Sequence, residues 1–117
     1  MKMILKNTQI VFQKINFLEN KTKTLTDSNS AWLSVLKGVT ANTSYKIRLY
    51  ISDISGTPSK VTIINGHGGS FVDIAEYSVT DSGKTITVTP TYDGTIALQL
   101  KGTGTFSATI NVQIWLA

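Results

Sequence analysis

The strongest constraint on the fold of this chain is a period-two alternation of apolar and polar residues. It occurs in four segments: "SYKIRLYIS" (44–52), "KTITVTP" (84–90), "GTIALQLK" (94–101) and "FSATINVQIWLA" (106–117). Successive side chains of a β-strand point to opposite faces, so each segment is predicted to be a strand with one buried face. In the last segment, Ile110, Val112 and Ile114 share the apolar face, and Trp115 is predicted to lie on the polar one.

Turn-forming residues separate the predicted strands. They cluster in "DISGTPS" (53–59), "NGHGG" (65–69), "TDSG" (80–83), "YDGT" (92–95) and "KGTG" (101–104). Asn-Gly and Asp-Gly pairs readily adopt the positive φ angles of tight hairpin turns. The last three clusters follow one another at a spacing of about ten residues, which is typical of consecutive antiparallel strands. The C-terminal third is therefore predicted to form three strands in a meander or Greek-key arrangement.

The N-terminal third is less regular. In "TQIVFQKINFL" (8–18) the apolar positions change parity, which predicts a bulge or break near Gln13 and Lys14. "KTKTLT" (21–26) is predicted to be a short edge strand guarded by lysines. "AWLSVLKG" (31–38) fits either a strand or a short turn of helix, because periodicity does not separate the two at this length.

The whole pattern predicts an all-β fold. Strands over 59–65 and 70–79 bring the total to about eight, with almost no helix. Short amphipathic strands in this number are best buried as two packed antiparallel sheets, so we expect a β-sandwich of jelly-roll type forming a single domain over 1–117. An immunoglobulin-like sandwich with fewer strands is the alternative, although the chain has no cysteine and lacks the landmarks of that fold.

Charge and hydropathy argue against two classes of partner. The net charge of +4 comes largely from lysines spread along the chain, whereas a nucleic-acid site would be expected to concentrate them in a stripe. We therefore expect no nucleic-acid partner.

No segment approaches the roughly 20 apolar residues of a membrane span, and polar residues interrupt the N-terminal apolar run before it reaches the length of a signal-peptide core. Synthesis in the cytoplasm is the expectation.

Few residues are suited to catalysis. The single histidine, His67, lies in "NGHGGS", which matches neither the dinucleotide-binding nor the Walker spacing and is predicted to be a hairpin tip with an exposed side chain. Asp73 and Glu76 lie three residues apart, so on a strand they face opposite sides. The prediction is a protein that is not an enzyme, with no catalytic residues and no cofactor.

No metal site is predicted either. One histidine and no cysteine are too few ligands for zinc. Calcium stays open, because Asp27, Asn29 and Asp93 offer oxygen ligands in turns. They show no calcium-loop spacing, and a plain turn role is favoured.

Aromatic residues outside the predicted core are the best candidates for ligand binding. Trp115 and Tyr50 lie on polar faces by parity, and Tyr92 flanks a turn. Aromatic rings offer apolar contact to sugar CH faces and to partner proteins. Trp115 has an alternative role as a packing residue, either inside the monomer after a register slip or at an oligomer seam.

Two segments carry a family resemblance. "LKGVTANTSYKIRLYI" (36–51) resembles the loop and core strand of jelly-roll carbohydrate-binding modules, with Asn42 where a glycine is common, and "GTIALQLKGTGTFSATINVQIWL" (94–116) is similar to their closing strands. Small Thr- and Ser-rich β-sandwiches of bacteriophage virions also resemble this chain. The resemblance implies a β-sandwich that binds glycans or assembles with virion proteins or with itself.

The functional prediction follows from these points together. We expect a non-catalytic module that works through surface contacts, namely a virion component such as a capsid decoration or fibre-associated protein. A stand-alone carbohydrate-binding module is the alternative, with Trp115, Tyr50 and Tyr92 as stacking residues.

Overall fold

The computed structural model describes the backbone of residues 3–6 and 9–12 and the whole of residues 15–117. Most of the described chain is β-strand, with one short 3-10 turn at Val79–Asp81. The strands are β1 (Met3–Lys6), β2 (Gln9–Phe12), β3 (Glu19–Thr26), β4 (Ala31–Val39), β5 (Tyr45–His67), β6 (Ser70–Ser78), β7 (Thr85–Val88) and β8 (Gly94–Leu116). The prediction of an all-β chain is confirmed.

All described strand pairs are antiparallel. β1 and β2 form a two-stranded sheet, and the other strands form a six-stranded sheet around the two longest, β5 and β8, which pair with each other. The N-terminal part of β5 (45–52) and the C-terminal part of β8 (107–116) lie between β7 and β3, and we call this the first half. The remaining parts of β5 (60–67) and β8 (94–101) lie between β6 and β4, and form the second half.

The junction of the halves corrects two of the predicted turns. The segments 53–59 and 101–104 do not reverse the chain; they lie inside β5 and β8, where the register shifts between Ser52 and Lys60. Gly56 has φ +70° there, and a Cβ on it would collide with the Thr105 carbonyl oxygen. Bulged register shifts bend a strand without ending it, so turn-forming residues mark a bend here.

The predicted three-strand meander or Greek-key arrangement of the C-terminal third is also wrong. Segments 94–101 and 106–117 are two parts of β8, and β7 pairs with β5. The predicted turns at 65–69 and 80–83 are confirmed, since Gly68 and Gly69 connect β5 to β6 with φ angles of +53° and +82°. Two adjacent positive φ angles suit a two-residue hairpin turn.

One hydrophobic cluster takes side chains from both halves. Ile47, Leu49 and Ile110 come from the first half, Ile63 and Leu98 from the second, and all five are fully buried. Burying this apolar surface is the main stabilising contribution to the fold.

The three predictions for the N-terminal third have different outcomes. The edge position of β3 is confirmed, and the ammonium groups of Lys21 and Lys23 lie 5.8 and 5.7 Å from the centroid of the Trp32 ring. Segment 31–38 is strand, with register irregularities in β4 that account for its mixed parity. The bulge predicted near Gln13 and Lys14 lies outside the described residues.

Within the part of the chain that the structure describes, no helix is long and apolar enough to cross a membrane.

Candidate ligand-binding face

The pairing of β5 with β8 brings polar and aromatic residues from distant parts of the sequence onto one surface. Lys46, Arg48 and Tyr50 of β5 are in register with Trp115, Gln113 and Asn111 of β8. Their odd-numbered neighbours on β5 and even-numbered neighbours on β8 point into the core, so these six side chains share the outer surface of the first half. We call this surface the aromatic–arginine face.

Arg48 lies at its centre, between two aromatic rings. Its Cζ is 5.2 Å from the centroid of the Trp115 ring and 5.6 Å from that of Tyr50. Its Nε donates a hydrogen bond of 2.7 Å to Oε1 of Gln113. Cation–π attraction and this hydrogen bond hold the guanidinium in place between the rings.

Neutral amides and hydroxyls surround the rings. The Asn111 amide nitrogen donates to Oδ1 of Asn20 and to Oγ1 of Thr22, each at 3.0 Å. The hydroxyls of Thr24 and Thr109 lie 3.0 Å apart on the same side of the sheet. These cross-strand contacts give the face an ordered polar surface.

Trp115 occupies the outer side of β8, as its parity predicts. Val112 and Ile114 are fully buried on the inner side. The Trp115 ring makes an edge-to-face contact with Phe17, with centroids 5.6 Å apart and an interplanar angle of 80°. Phe17 and Arg48 thus cover parts of the ring, and the side chain stays half-buried at the end of the aromatic–arginine face.

Tyr92 lies apart from the other two predicted ligand-binding residues. It belongs to the connection between β7 and β8, and Asn65 fixes its backbone by accepting from its N–H at 3.1 Å and donating to its carbonyl at 3.2 Å. This places Tyr92 at the far end of the second half, while Tyr50 and Trp115 lie on the first. The structure therefore brings together two of the three predicted residues.

His67 differs from its predicted exposed position. Its ring stacks on Tyr92 with centroids 3.7 Å apart and an interplanar angle of 15°, which leaves His67 half-buried. A shallow groove of about 330 Å³ adjoins it, lined by Leu33, Gly66 and Phe71 among others. The prediction of an exposed His67 side chain failed because the connection between β7 and β8, which covers it through Tyr92, is distant from His67 in sequence.

The candidate carboxylates have structural roles at the surface. Glu76 accepts a hydrogen bond of 2.7 Å from Lys60, and this bond, with the charge of Lys60, lowers the pKa of Glu76. Asp93 accepts from the Ala41 N–H at 2.7 Å, and Asp27 from the Phe106 N–H at 3.3 Å. In the described residues, no group of three or more His, Asp or Glu side chains could hold a metal ion.

Sequence reasoning missed the central role of Arg48 and its contact with Gln113. The alternation in 44–52 already put Arg48 on the polar side of its strand, beside Tyr50. It could not show that Gln113, 65 residues away, lies across from it. Strand register between distant segments is set by core packing, which local spacing does not reveal.

A second exposed surface lies where β8 ends. Ile15, Phe17, Leu18 and Leu116 are 38–56% exposed. Together with Trp115, three of these residues line a groove of about 400 Å³. We call this set the apolar end; the sequence offered no signal for it, because its two segments belong to opposite ends of the chain.

Comparisons with known proteins add little to this description. No family model matches the sequence, and no curated protein matches it. Among solved structures, the chain is similar to the crystal structure of Yersinia pseudotuberculosis-derived mitogen, with 11% identity, a TM-score of 0.49 and 86% of each chain covered. The resemblance to carbohydrate-binding modules and phage virion proteins stays a prediction.

Proposed function

We propose that this protein is a non-catalytic binding module and that its ligand is a saccharide bound on the aromatic–arginine face. The observation that carries the proposal is the position of the Arg48 guanidinium, 5.2 and 5.6 Å from the ring centroids of Trp115 and Tyr50. Tyr50 is 44% exposed, so part of its side chain is open to a ligand.

The chemistry of the face suits a saccharide. Aromatic rings provide flat apolar contact for the CH faces of a sugar ring, and amides and hydroxyls provide donors and acceptors for its hydroxyl groups. Asn111 and Gln113 lie in register with Tyr50 and Arg48 and are already held by side-chain hydrogen bonds. A site whose side chains are ordered in advance loses less conformational entropy on binding.

A jelly-roll sandwich is the architecture we propose for this module. Two features support two facing layers. At the bend, β5 and β8 each change the outer strand with which they pair. One hydrophobic cluster also takes side chains from both halves. In such a fold the aromatic–arginine face is the outer surface of one layer.

Glycan binding is tested with an array and three variants. We expect Trp115→Ala and Tyr50→Ala each to weaken binding by about tenfold, which corresponds to about 1.4 kcal/mol. Tyr92→Ala is the matched control, because it removes a ring of similar exposure from the other half. Glycan binding that survives the loss of both Trp115 and Tyr50 would contradict the proposed site.

The apolar end favours a second candidate function, which is assembly into a larger particle such as a phage virion, as a capsid decoration or fibre-associated protein. Four exposed apolar residues, three of which line one groove, are suited to a protein interface. Light scattering and co-sedimentation with phage particles test this candidate, with Leu116→Glu as the variant. A chain that stays monomeric and binds no particle, capsid or fibre would exclude it.

A further inference from the structure

We propose that the saccharide bound by this protein carries an anionic group, a carboxylate or a sulfate, which pairs with Arg48. This inference rests on the proposed function and adds the class of ligand. The juxtaposition behind it is one guanidinium, held between two rings, on a face whose six side chains include no carboxylate.

The charges of the aromatic–arginine face are all of one sign. On the outer positions of the four strand segments in the first half, the described residues include the cations Lys46 and Arg48 and no carboxylate. The ion pairs formed within residues 15–117 all use lysines: Lys21 with Glu19, Lys60 with Glu76, and Lys84 with Asp81. Arg48 is thus a half-buried cation without a carboxylate partner among the described residues.

The terminal nitrogens of Arg48 make no hydrogen bond to the described residues. A guanidinium has five N–H donors, and the hydrogen bond to Gln113 uses the one on Nε. The two terminal nitrogens remain for a bidentate contact, which matches the spacing of carboxylate or sulfate oxygens. Binding such an anion would also neutralise a charge that the rings partly shield from water.

Lys46 adds a second cation that favours an anionic ligand on the aromatic–arginine face. It lies two residues before Arg48 on β5, in register with Trp115, and its ammonium group donates to Oγ1 of Thr87 at 2.8 Å. An ammonium has three N–H donors, so two remain for a ligand. The face therefore offers a bidentate cation and a second cation next to the stacking rings.

The number and placement of the cations favour an acidic saccharide over a nucleic acid. A nucleic-acid strand presents a row of phosphates and is bound along a basic groove. Lys21 and Lys23 instead lie over Trp32, and Lys60 pairs with Glu76 in the second half. Two cations beside two rings suit one anionic sugar at a time.

The test is a glycan array that contains neutral, uronic-acid-containing, sialylated and sulfated saccharides, together with an oligo(dT) strand. The best acidic glycan and its neutral parent are then compared by calorimetry. We expect the wild type to bind the acidic form at least about tenfold more tightly. Arg48→Gln should remove that difference, and Arg48→Lys should keep only part of it, because an ammonium forms no bidentate contact.

Lys60→Gln is the control for net charge, since it removes one positive charge from the second half and should leave the preference intact. Circular dichroism and thermal unfolding check that each variant is folded. A preference for carboxylated or for sulfated glycans alone supports the proposal and identifies the anion.

Three other outcomes would overturn it. Equal affinity for neutral and acidic glycans, with loss on Trp115→Ala, would leave the proposed function standing and reject the anionic ligand. No saccharide binding at all would reject both. Tighter binding of oligo(dT) than of any glycan would assign the face to nucleic acid.

Discussion

The two halves of the sheet share β5 and β8 but differ in their outer surfaces. In the first half the outer positions are at least partly open, and Tyr50 is 44% exposed. In the second half the outer side of β5 is closed: Thr62 is fully buried and Ile64 is 8% exposed. Ala97, the register partner of Ile64 on β8, is fully buried as well, while Gln99 on the same side of β8 is half-buried. β5 thus presents an outer side that is available to a ligand in the first half and packed in the second.

The difference indicates that the outer side of β5 is available for binding in the first half, whereas in the second half β5 stabilises the packed core. Residues 61–66 of β5 are buried on both sides of the strand, whereas 45–51 alternate between buried and more exposed positions. A strand buried on both faces tolerates little change, while the outer side of a half-buried strand is free to vary. We expect substitutions on the outer surface of the first half to change binding, and those on the second to change stability.

The largest effect is expected at the junction that keeps the two halves in one sheet. Gly56→Ala should destabilise the protein by about 3–5 kcal/mol, because its Cβ would collide with the Thr105 backbone. Gly104→Ala is the matched control, since its φ is +66° and nothing lies within 4 Å. It should cost only about 1–2 kcal/mol. Denaturant unfolding measures both, and equal losses would show that crowding at Gly56 is unimportant.

A pair of equivalent substitutions on β5 sharpens the comparison directly. Ile64→Gln places an amide in the closed outer surface and should cost about 3 kcal/mol. Tyr50→Gln places the same amide in the open one and should cost less than about 1 kcal/mol. Urea unfolding of the two variants gives the difference. Similar costs would mean that the outer surfaces are not distinct.

Tyr77 connects the halves, and its loss should have an intermediate effect. This residue of β6 is buried, and its hydroxyl lies 3.2 Å from the Leu49 carbonyl of the first half and 2.6 Å from the Lys84 carbonyl. Tyr77→Phe removes the donor and should cost about 1–3 kcal/mol. Thermal unfolding at neutral pH measures the loss, with Tyr92→Phe, an exposed tyrosine, as control.

The same residue predicts a dependence on alkaline pH. Burial raises the pKa of Tyr77 above its ordinary value, so the folded state holds this proton more tightly than the unfolded state. The resulting stabilisation is complete below about pH 10 and is lost as the pH rises through the folded-state pKa. As the pH rises above about 10, Tyr77→Phe should therefore lose less stability than the wild type. Parallel losses in the two proteins would contradict this assignment.

The smallest effect is a gain in the closed half. Thr62 is fully buried, and its hydroxyl has no hydrogen-bond partner among the described residues. Thr62→Val removes this unsatisfied group while keeping a β-branched side chain, and should stabilise the protein by about 1 kcal/mol. Thr109→Val is the comparison in the open half, where the hydroxyl lies 3.0 Å from that of Thr24 and no gain is expected. A rise in melting temperature for Thr62→Val alone is the expected result.

Individual residues show which features of the fold the local sequence pattern predicts. The parity of Ile110, Val112 and Ile114 correctly predicts which side of β8 is buried and that Trp115 lies on the other. Glycine and proline near 53–59 and 101–104 correctly mark irregular backbone but not its nature, because a turn and a bend in a continuous strand use the same residues. The candidate site was found in part: Tyr50 and Trp115 were predicted together, while Tyr92 belongs elsewhere.

Residue type and spacing over a few positions are enough to predict the strand content, the buried side of most strands and the scarcity of catalytic groups. The assembled fold is needed to show that β5 and β8 each run through both halves, that Arg48 lies between Tyr50 and Trp115, and that His67 stacks on Tyr92. Strand partners and registers arise from side-chain packing between distant segments, and the energy of that packing depends on the whole core and not on any one stretch of sequence.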